Sequence, residues 1–204
     1  MDNGLNIKLC EGVLQSPDEV LKQLEKDIVY LPKENSQIRA KGKSFPIPRE
    51  IAAFGDQGLT YTFSGMSISC QPWTPLLFEI KSLVEHLSGA NFNFVLINRY
   101  KDGNSCIGQH KDNEPSLDSN HPVCSLSLGE TRTIVFKRQQ FQDYRLELVN
   151  NSLLILSSPT NELWTHGIPR QKERKGVRVS LTSESCYYLV KESLMRITVN
   201  LKKS

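Results

Sequence analysis

The chain has 204 residues, of which 38% are hydrophobic and 23% charged, with a formal net charge of +3. This length suits one domain with a complete core, and the composition is that of a globular protein. A charge of +3 is too small to indicate a nucleic-acid partner on its own. No apolar run reaches the roughly 18 residues of a membrane span, so we expect no membrane association. The first residues also lack the basic-then-apolar pattern of a signal peptide.

The five cysteines follow no recognisable framework. Their number is odd and no CxxC pair occurs, which argues against both a disulfide scaffold and a zinc site. We therefore expect a reducing compartment, the cytosol or the nucleus.

Two helices are predicted in the first 90 residues. The first begins with Ser16, which can cap a helix, and Pro17, which suits its first turn. The second begins at Thr74 and ends at Gly89, a residue that favours the left-handed conformation found at helix ends.

The segment between the helices is basic. Arg39, Lys41, Lys43 and Arg49 lie around Gly42, which favours a turn, and we predict a basic hairpin. Such a hairpin either contacts phosphate groups or is simply solvated, and the sequence leaves both interpretations open.

Two aromatic residues follow in a predicted strand. Tyr61 and Phe63 alternate with threonines, so their rings share one face. The pair either forms a platform for a flat ligand or fills the core.

After Gly89 the sequence changes to short strand-like runs separated by turn residues. This pattern favours a sandwich, jelly roll or barrel, and we expect the two helices to cover one face of a sheet. The predicted strands are Phe92–Tyr100, Val123–Leu128, Thr131–Lys137, Tyr144–Val149, Leu153–Leu156, Val177–Thr182 and Arg196–Leu201.

The four histidines raise the question of a metal site. His110 and Asp112 are one residue apart in a polar loop, an arrangement that permits a shared ligand site. His86 is expected on the solvated side of the second helix, and His121 has no partner at useful spacing. The remaining one, His166, would complete the two-His-one-carboxylate set of non-haem Fe(II) oxygenases, which leaves positions open for a cosubstrate and O2. The alternative is that these are solvated loop residues.

A cosubstrate such as 2-oxoglutarate binds the metal through its keto acid end. The carboxylate at its other end, the far carboxylate, needs a fixed cation. Arg178 suits this role because its planar fork matches a carboxylate. It shares one face of a predicted strand with Ser180 and Thr182. The alternative is an arginine on an edge strand that faces solvent.

The sequence resembles the AlkB family of Fe(II)/2-oxoglutarate dealkylases. Five segments match in order, namely NFNFVLINRYKDG, IGQHKDNEPSL, SLSLGETRTIVFKR, SLLILSSPTNELWTHGIP and VRVSLT. A further segment, FGDQGLTYTFSG, is most similar to the eukaryotic homologue 2 type, with the homologue 3 type next. The resemblance covers residues 48–182.

The resemblance implies an α+β, mainly β fold, with a double-stranded β-helix (jelly-roll) core, N-terminal helices and a nucleotide-recognition lid. Residues 1–90 would hold the helices and lid. Residues 91–204 would form the catalytic core with an atypical tail from residue 183, all within one structural domain.

The resemblance also implies oxidative demethylation of N-alkylated DNA bases such as 1-methyladenine and 3-methylcytosine, releasing formaldehyde. Fe(II) would be the cofactor, 2-oxoglutarate and O2 the cosubstrates, and ascorbate would stimulate turnover. The role would be repair of alkylation damage by a monomer in the nucleus, with the cytoplasm as a second location. The partner would be single- or double-stranded DNA, or RNA.

Individual residues are implied where the motifs match. The iron ligands would be His110, Asp112 and His166. The contacts to 2-oxoglutarate would be Asn98, Tyr100, Arg178, Ser180 and Thr182. The contacts to the base would be Tyr61, Phe63, Ser64, His110 and Glu114, with Phe63 stacking on the flipped base and His110 on its opposite face. The contacts to the DNA backbone would be Arg39, Lys41, Lys43 and Arg49.

The sequence departs from the family in the last motif, Arg-x-Asn-x-Thr-x-Arg. Ser180 replaces the Asn, and Glu184 replaces the final Arg, which in the family helps to hold the iron-side carboxylate of 2-oxoglutarate. A glutamate there would repel the cosubstrate. Arg196, in the atypical tail, is a candidate replacement for the missing cation.

Two further departures concern the nucleic acid. Lys41 occupies the position of an apolar wedge, and the loop RQQFQD lacks the long basic insertion that grips a second strand. Both favour single-stranded or weakened DNA, or RNA, and no sliding-clamp motif is evident at the N-terminus.

Three functions therefore stand as hypotheses. The first is an Fe(II)/2-oxoglutarate dioxygenase that demethylates DNA or RNA. The second is a nucleic-acid-binding protein with weakened catalysis, favoured by Glu184. The third is an oxygenase of proteins or small molecules, against which the flat pocket implied by Tyr61, Phe63 and Glu114 argues.

Overall fold

The computed structural model of the protein describes residues 3–40, 43–63 and 65–187. The helices are α1 (Pro17–Asp27), α2 (Pro75–Ser88) and the short α3 (Thr160–Leu163), with a 3-10 turn at Lys33–Asn35. The first seven strands are β1 (Ile7–Glu11), β2 (Gln37–Ala40), β3 (Lys43–Pro46), β4 (Glu50–Gly55), β5 (Thr60–Phe63), β6 (Met66–Ser69) and β7 (Phe94–Tyr100). The others are β8 (Ile107–His110), β9 (Val123–Gly129), β10 (Arg132–Lys137), β11 (Tyr144–Leu148), β12 (Ser152–Leu156), β13 (Thr165–Ile168) and β14 (Arg178–Glu184).

Two antiparallel sheets form the core. A six-stranded sheet has the order β1-β12-β9-β14-β7-β4, and a four-stranded sheet has the order β11-β10-β13-β8. Strands β1 and β4 come from the first 90 residues, so both predicted segments of the chain contribute to the larger sheet. Strands β2 and β3, and strands β5 and β6, form separate two-stranded pairs. The predicted jelly-roll class is confirmed.

Both long helices cover one face of the six-stranded sheet, as predicted. Leu24 of α1 and Ile80 of α2 belong to one buried cluster with Val95, Val179 and Leu181 from the sheet. Because side chains alternate along a strand, the neighbours of these sheet residues point to the opposite face, toward the four-stranded sheet. The helices therefore leave the inner face of β7 and β14 available for a site.

The predicted capping residues of the two long helices differ in whether they form a capping hydrogen bond. Thr74 accepts a hydrogen bond from the backbone N–H of Leu77 at 3.2 Å, and Gly89 ends α2 with φ of 71°. At the start of α1, Ser16 holds the capping position but its hydroxyl makes no capping bond. The start of α1 is thus as predicted, while the side-chain cap of Ser16 is not formed.

The predicted strands within the described residues are confirmed to within two residues at each end. The predicted strand Arg196–Leu201 lies outside the described residues. Five strands were not predicted: β1, β4, β6, β8 and β13. The basic hairpin exists as β2 and β3, which pair from Gln37↔Pro46 to Ala40↔Lys43.

All five cysteines are free thiols. In the described segments, the helices are too short or too polar to cross a membrane.

Candidate metal centre and cosubstrate cavity

Two strands of the four-stranded sheet bring the two predicted histidine ligands together. His110 ends β8 and is paired in register with His166 of β13, so both side chains lie on the same face. Their ring centroids are 4.4 Å apart. The sequence predicted a loop at His110; the residue instead ends a strand, because β8 finds its hydrogen-bonding partner in β13.

Asp112 completes the triad from the segment that follows β8. Its Oδ1 lies 3.4 Å from Nε2 of His110, and its Oδ2 lies 3.3 Å from Nε2 of His166. The ligand atoms of the three residues all lie within 4.8 Å of one another. The predicted triad is therefore assembled with two imidazole nitrogens and one carboxylate facing a common point.

Asn161 of α3 fixes the backbone of Asp112 from both sides. Its Oδ1 accepts from the Asp112 N–H at 3.0 Å, and its Nδ2 donates to the Asp112 carbonyl. Sequence reasoning missed Asn161, since the two residues lie 49 positions apart and nothing in the local pattern connects them.

The charges of the triad reinforce one another. Burial acts to raise the pKa of Asp112, but the neighbouring His166 and His110 outweigh it and hold that pKa far below its usual range. Burial acts to lower the pKa of His110, but the hydrogen bond and charge of Asp112 raise it. An ionised carboxylate between two imidazoles is a site prepared for a cation.

The second nitrogens of the two imidazoles differ in their surroundings. Nδ1 of His110 lies 2.9 Å from the carbonyl oxygen of Gly108, which orients Nε2 toward the centre. Nδ1 of His166 is buried without a hydrogen-bond partner among the residues that the structure describes.

The other two histidines lie elsewhere. His86 is exposed on α2, as predicted. His121 was expected to have no partner, but its Nδ1 lies 3.1 Å from a carboxylate oxygen of Asp118, three residues earlier, because the connection before β9 turns back on itself.

A cavity of about 750 Å³ lies between the two sheets and contains the triad. Its wall includes residues predicted for the metal, the cosubstrate and the base: Tyr61, Phe63, Asn98, Tyr100, His110, Asp112, Glu114, His166, Arg178, Ser180 and Thr182. Residues that are far apart in the sequence therefore share one cavity.

Arg178 provides the buried cation of this cavity. It is 1% exposed, and its Nη2 donates to the Ser127 hydroxyl at 2.8 Å. Its guanidinium lies 5.0 Å from the ring centroid of Tyr100. Its Nε and Nη1 have no partner within the described part of the chain. Burial lowers the pKa of Arg178, so an anion bound there would relieve an unfavourable charge.

The neighbouring predicted cosubstrate residues lie on the same wall. Ser180 pairs in register with Asn98 of β7, and the Thr182 hydroxyl lies 3.4 Å from that of Ser125. Asn98 accepts a hydrogen bond from Nε of Arg49 at 2.6 Å. Arg49, predicted to contact DNA, thus reaches the cavity wall.

The aromatic residues form a stacked group at the cavity. Tyr61 and Phe63 have ring centroids 5.2 Å apart, and Phe94 stacks on Tyr61 at 4.6 Å. All three belong to a buried cluster, so the core interpretation applies, and the platform for a flat ligand stays a prediction. Burial raises the pKa of Glu114 nearby, and its Oε2 is buried without a partner in the described structure.

Several predicted residues lie outside the described part of the structure. Lys41 and Ser64 lie outside the described residues, as does Arg196. The side chains of Arg39 and Lys43 also lie outside the described part, although their backbones form the hairpin.

Two imidazoles and a carboxylate leave three positions open on a six-coordinate metal, which is the arrangement of non-haem Fe(II) oxygenases. The donor set and the unpartnered guanidinium atoms of Arg178 thus fit Fe(II) and an anionic cosubstrate. Residues 11–199 match the model of the 2OG-Fe(II) oxygenase superfamily, so the chain belongs to this superfamily.

Within that superfamily the chain is a member of the AlkB family. It is 41% identical over 174 residues to human DNA oxidative demethylase ALKBH2, covering 81% of this chain and 67% of the relative. The bovine ALKBH2 is 40% identical, with 81% of this chain and 63% of the relative covered. The mouse alpha-ketoglutarate-dependent dioxygenase alkB homolog 3 is 33% identical over 185 residues, with 85% and 63% covered. The resemblance predicted from the sequence is confirmed.

A solved structure supports the fold alone. The structure of OsALKBH1 matches with a TM-score of 0.61 at 18% identity, covering 88% of this chain and 97% of that one.

Proposed function

We propose that this protein oxidatively demethylates N-methylated bases in DNA, with 1-methyladenine and 3-methylcytosine as substrates, in the repair of alkylation damage. The relatives named DNA oxidative demethylase support this proposal. The observation that carries it is one cavity that combines the triad, the buried Arg178 and the stacked rings of Tyr61 and Phe63.

Different residues of the cavity would bind the metal and the cosubstrate. His110, Asp112 and His166 would hold Fe(II), which with O2 supplies the oxidising power that inserts oxygen into a methyl C–H bond. Arg178 would bind the far carboxylate of 2-oxoglutarate, which is oxidised to succinate and CO2 in the same turnover. The hydroxymethyl group then leaves the base nitrogen as formaldehyde, and the unmodified base remains.

The base must leave its stack to reach this site. Inside a duplex the methylated Watson–Crick edge is hidden, so the enzyme has to extrude the nucleotide. Tyr61 and Phe63 would hold the flat base, and Glu114 would contact its edge. The stacking and burial of these two rings support the proposal, because a rigid pocket costs less to order on binding.

We propose single-stranded or weakened DNA as the preferred form, with RNA as an alternative substrate. The connection between β10 and β11 is only six residues long. It exposes Phe141, which is 39% accessible, with the Arg138 guanidinium 4.7 Å from its ring centroid. An exposed ring beside a cation is the kind of surface on which an unpaired base stacks.

Succinate and formaldehyde release test the function. The full chain with Fe(II), ascorbate, 2-oxoglutarate and a 3-methylcytosine oligonucleotide should release both products in equal amounts, with more from the single-stranded than the duplex form. The unmethylated oligonucleotide is the control.

A second candidate is a nucleic-acid-binding protein with weakened catalysis. Glu184 favours it, because this buried carboxyl lines the same cavity as the proposed 2-oxoglutarate site. Tight binding of the methylated oligonucleotide without succinate, in protein that retains bound metal, would select this alternative. Nuclear localisation stays a prediction, which imaging of the tagged full chain tests.

A further inference from the structure

Glu184 ends β14 on the inner face of the six-stranded sheet. Arg178, Ser180, Thr182 and Glu184 alternate with residues that face the helices, so all four point into the cavity region. Glu184 is 4% exposed and pairs in register with Phe94, the ring that stacks on Tyr61. The strand therefore places this carboxyl beside the aromatic group.

One oxygen of this carboxyl has no partner in the described structure. This oxygen, Oε2, is buried without a hydrogen bond, and none of the ion pairs in the described segments includes Glu184. Burial, with the nearby charges of Asp112 and Glu114, raises its pKa well above the usual range. A buried carboxyl without a partner is costly, and the cost is removed when a ligand supplies positive charge and an N–H donor.

The two ends of β14 thus carry opposite unsatisfied groups. Arg178, at the start of the strand, has two nitrogens without partners, and Glu184, at its end, has an unpartnered oxygen. Six residues of extended strand separate them by about 20 Å. One end suits an anionic ligand and the other a cationic one.

We propose that Glu184 is a specificity-determining residue that selects a positively charged methylated base over a neutral one of the same shape. This inference rests on the proposed function and names the substrate class of the same cavity. Methylation at N3 of cytosine or N1 of adenine leaves the ring cationic, with an exocyclic amino group. Methylation at N3 of uracil or thymine replaces a proton, and the base stays neutral.

The test compares 3-methylcytosine with 3-methyluracil, which differ in one exocyclic group. Protein loaded with Mn(II) and 2-oxoglutarate, which binds without turnover, is titrated with single-stranded oligonucleotides that contain either base, and affinity is read by fluorescence anisotropy. The wild type should prefer 3-methylcytosine. Glu184→Gln keeps the shape but cannot ionise beside a cationic base, and should reduce this preference by about tenfold, equivalent to about 1.4 kcal/mol.

Glu147→Gln is the matched control. It makes the same side-chain substitution, but Glu147 is exposed on β11, with 62% of its side chain accessible. This variant should keep the wild-type preference. Circular dichroism and thermal melting check that each variant is folded.

Several outcomes separate the inference from the proposed function. Equal preference in the wild type and Glu184→Gln, or no preference in the wild type, overturns the inference even if demethylation is observed. A preference that depends on Glu184 supports it even if no succinate is released. If Glu184→Gln instead raises 2-oxoglutarate affinity and leaves base preference unchanged, the carboxyl acts on the cosubstrate and the inference is wrong.

Discussion

Arg49 and Asn98 are joined by a hydrogen bond of 2.6 Å, from Nε of the arginine to the side-chain oxygen of the asparagine. Both residues line the cavity. Arg49 was predicted to contact DNA and Asn98 to contact 2-oxoglutarate, so a single contact connects the two proposed ligand sites. We therefore expect that a change at one of these side chains affects both proposed sites.

We predict that Arg49→Ala raises the KM for 2-oxoglutarate as well as weakening DNA binding. The variant leaves Asn98 without its charged donor, and a hydrogen bond to a charged group is worth roughly 1.5–3 kcal/mol. The expected rise in KM is therefore roughly tenfold to a hundredfold. Steady-state kinetics at saturating oligonucleotide measure it. Arg145→Ala, on the exposed strand β11, removes the same charge and should leave this KM unchanged; an equal effect in both variants would contradict the connection.

The inner face of β14 shows what the sequence predicts well. The alternation of Val179 and Leu181 with Arg178 and Ser180 assigns two faces without any knowledge of the partner strands, because the side-chain period of a strand is two. The structure confirms it: the apolar pair packs in the cluster beneath the helices, and the polar pair lines the cavity. The sequence also predicted the metal triad, because the other two histidines were excluded as ligands.

Strands β8 and β13 could not be predicted from the local sequence. The runs IGQH and THGI are only four residues long and each contains a glycine, so their strand propensity is weak. They become strands because each pairs with the other, and β13 also pairs with β10. The Arg49–Asn98 and Asn161–Asp112 contacts each span 49 residues. Such contacts follow from register and chain path, which no local pattern encodes.

Metal binding should stabilise the fold through the triad. A ligand at 100 times its Kd adds about 2.7 kcal/mol, which corresponds to roughly 5–10 °C in Tm for a chain of this size. Mn(II) should raise the Tm of the wild type, and EDTA should reverse the rise. Asp112→Asn should remove both the shift and turnover while the protein stays folded.

His121→Ala is the control for this prediction, since His121 faces Asp118 at a similar distance outside the cavity. Its metal-dependent shift should equal that of the wild type. A shift that survives in Asp112→Asn would show that the metal binds elsewhere.

Replacing Arg178 with lysine should weaken 2-oxoglutarate binding although the charge is kept. Lysine lacks the planar fork that binds both oxygens of a carboxylate, so we expect the KM for 2-oxoglutarate to rise by about tenfold or more while the affinity for the oligonucleotide is unchanged. Steady-state kinetics and anisotropy separate the two effects. An unchanged KM would mean that the far carboxylate binds another group.

The buried carboxyl of Glu184 should make the metal-free protein less stable at neutral than at acidic pH. Its folded pKa is raised above the unfolded value, so the folded state binds the proton more tightly, and stability falls as pH rises above about 4.5. Urea unfolding with EDTA present should show that Glu184→Gln is more stable than the wild type near pH 7, by about 1–3 kcal/mol.

This difference between Glu184→Gln and the wild type should shrink toward pH 4, where the wild-type carboxyl is protonated in both states. A difference that is independent of pH would mean that the ionisation of Glu184 is not its cause.

The exposed ring of Phe141 should favour unpaired nucleic acid. Stacking of a base on an aromatic side chain is worth roughly 1–3 kcal/mol, so Phe141→Ala should weaken binding of a single-stranded oligonucleotide by about tenfold, with a smaller effect on a duplex whose bases are already stacked. Anisotropy titrations with both forms measure the ratio. Leu163→Ala, which removes another exposed apolar side chain, is the control. An equal loss for single strand and duplex would show that the ring contributes general contact area and does not select the strand form.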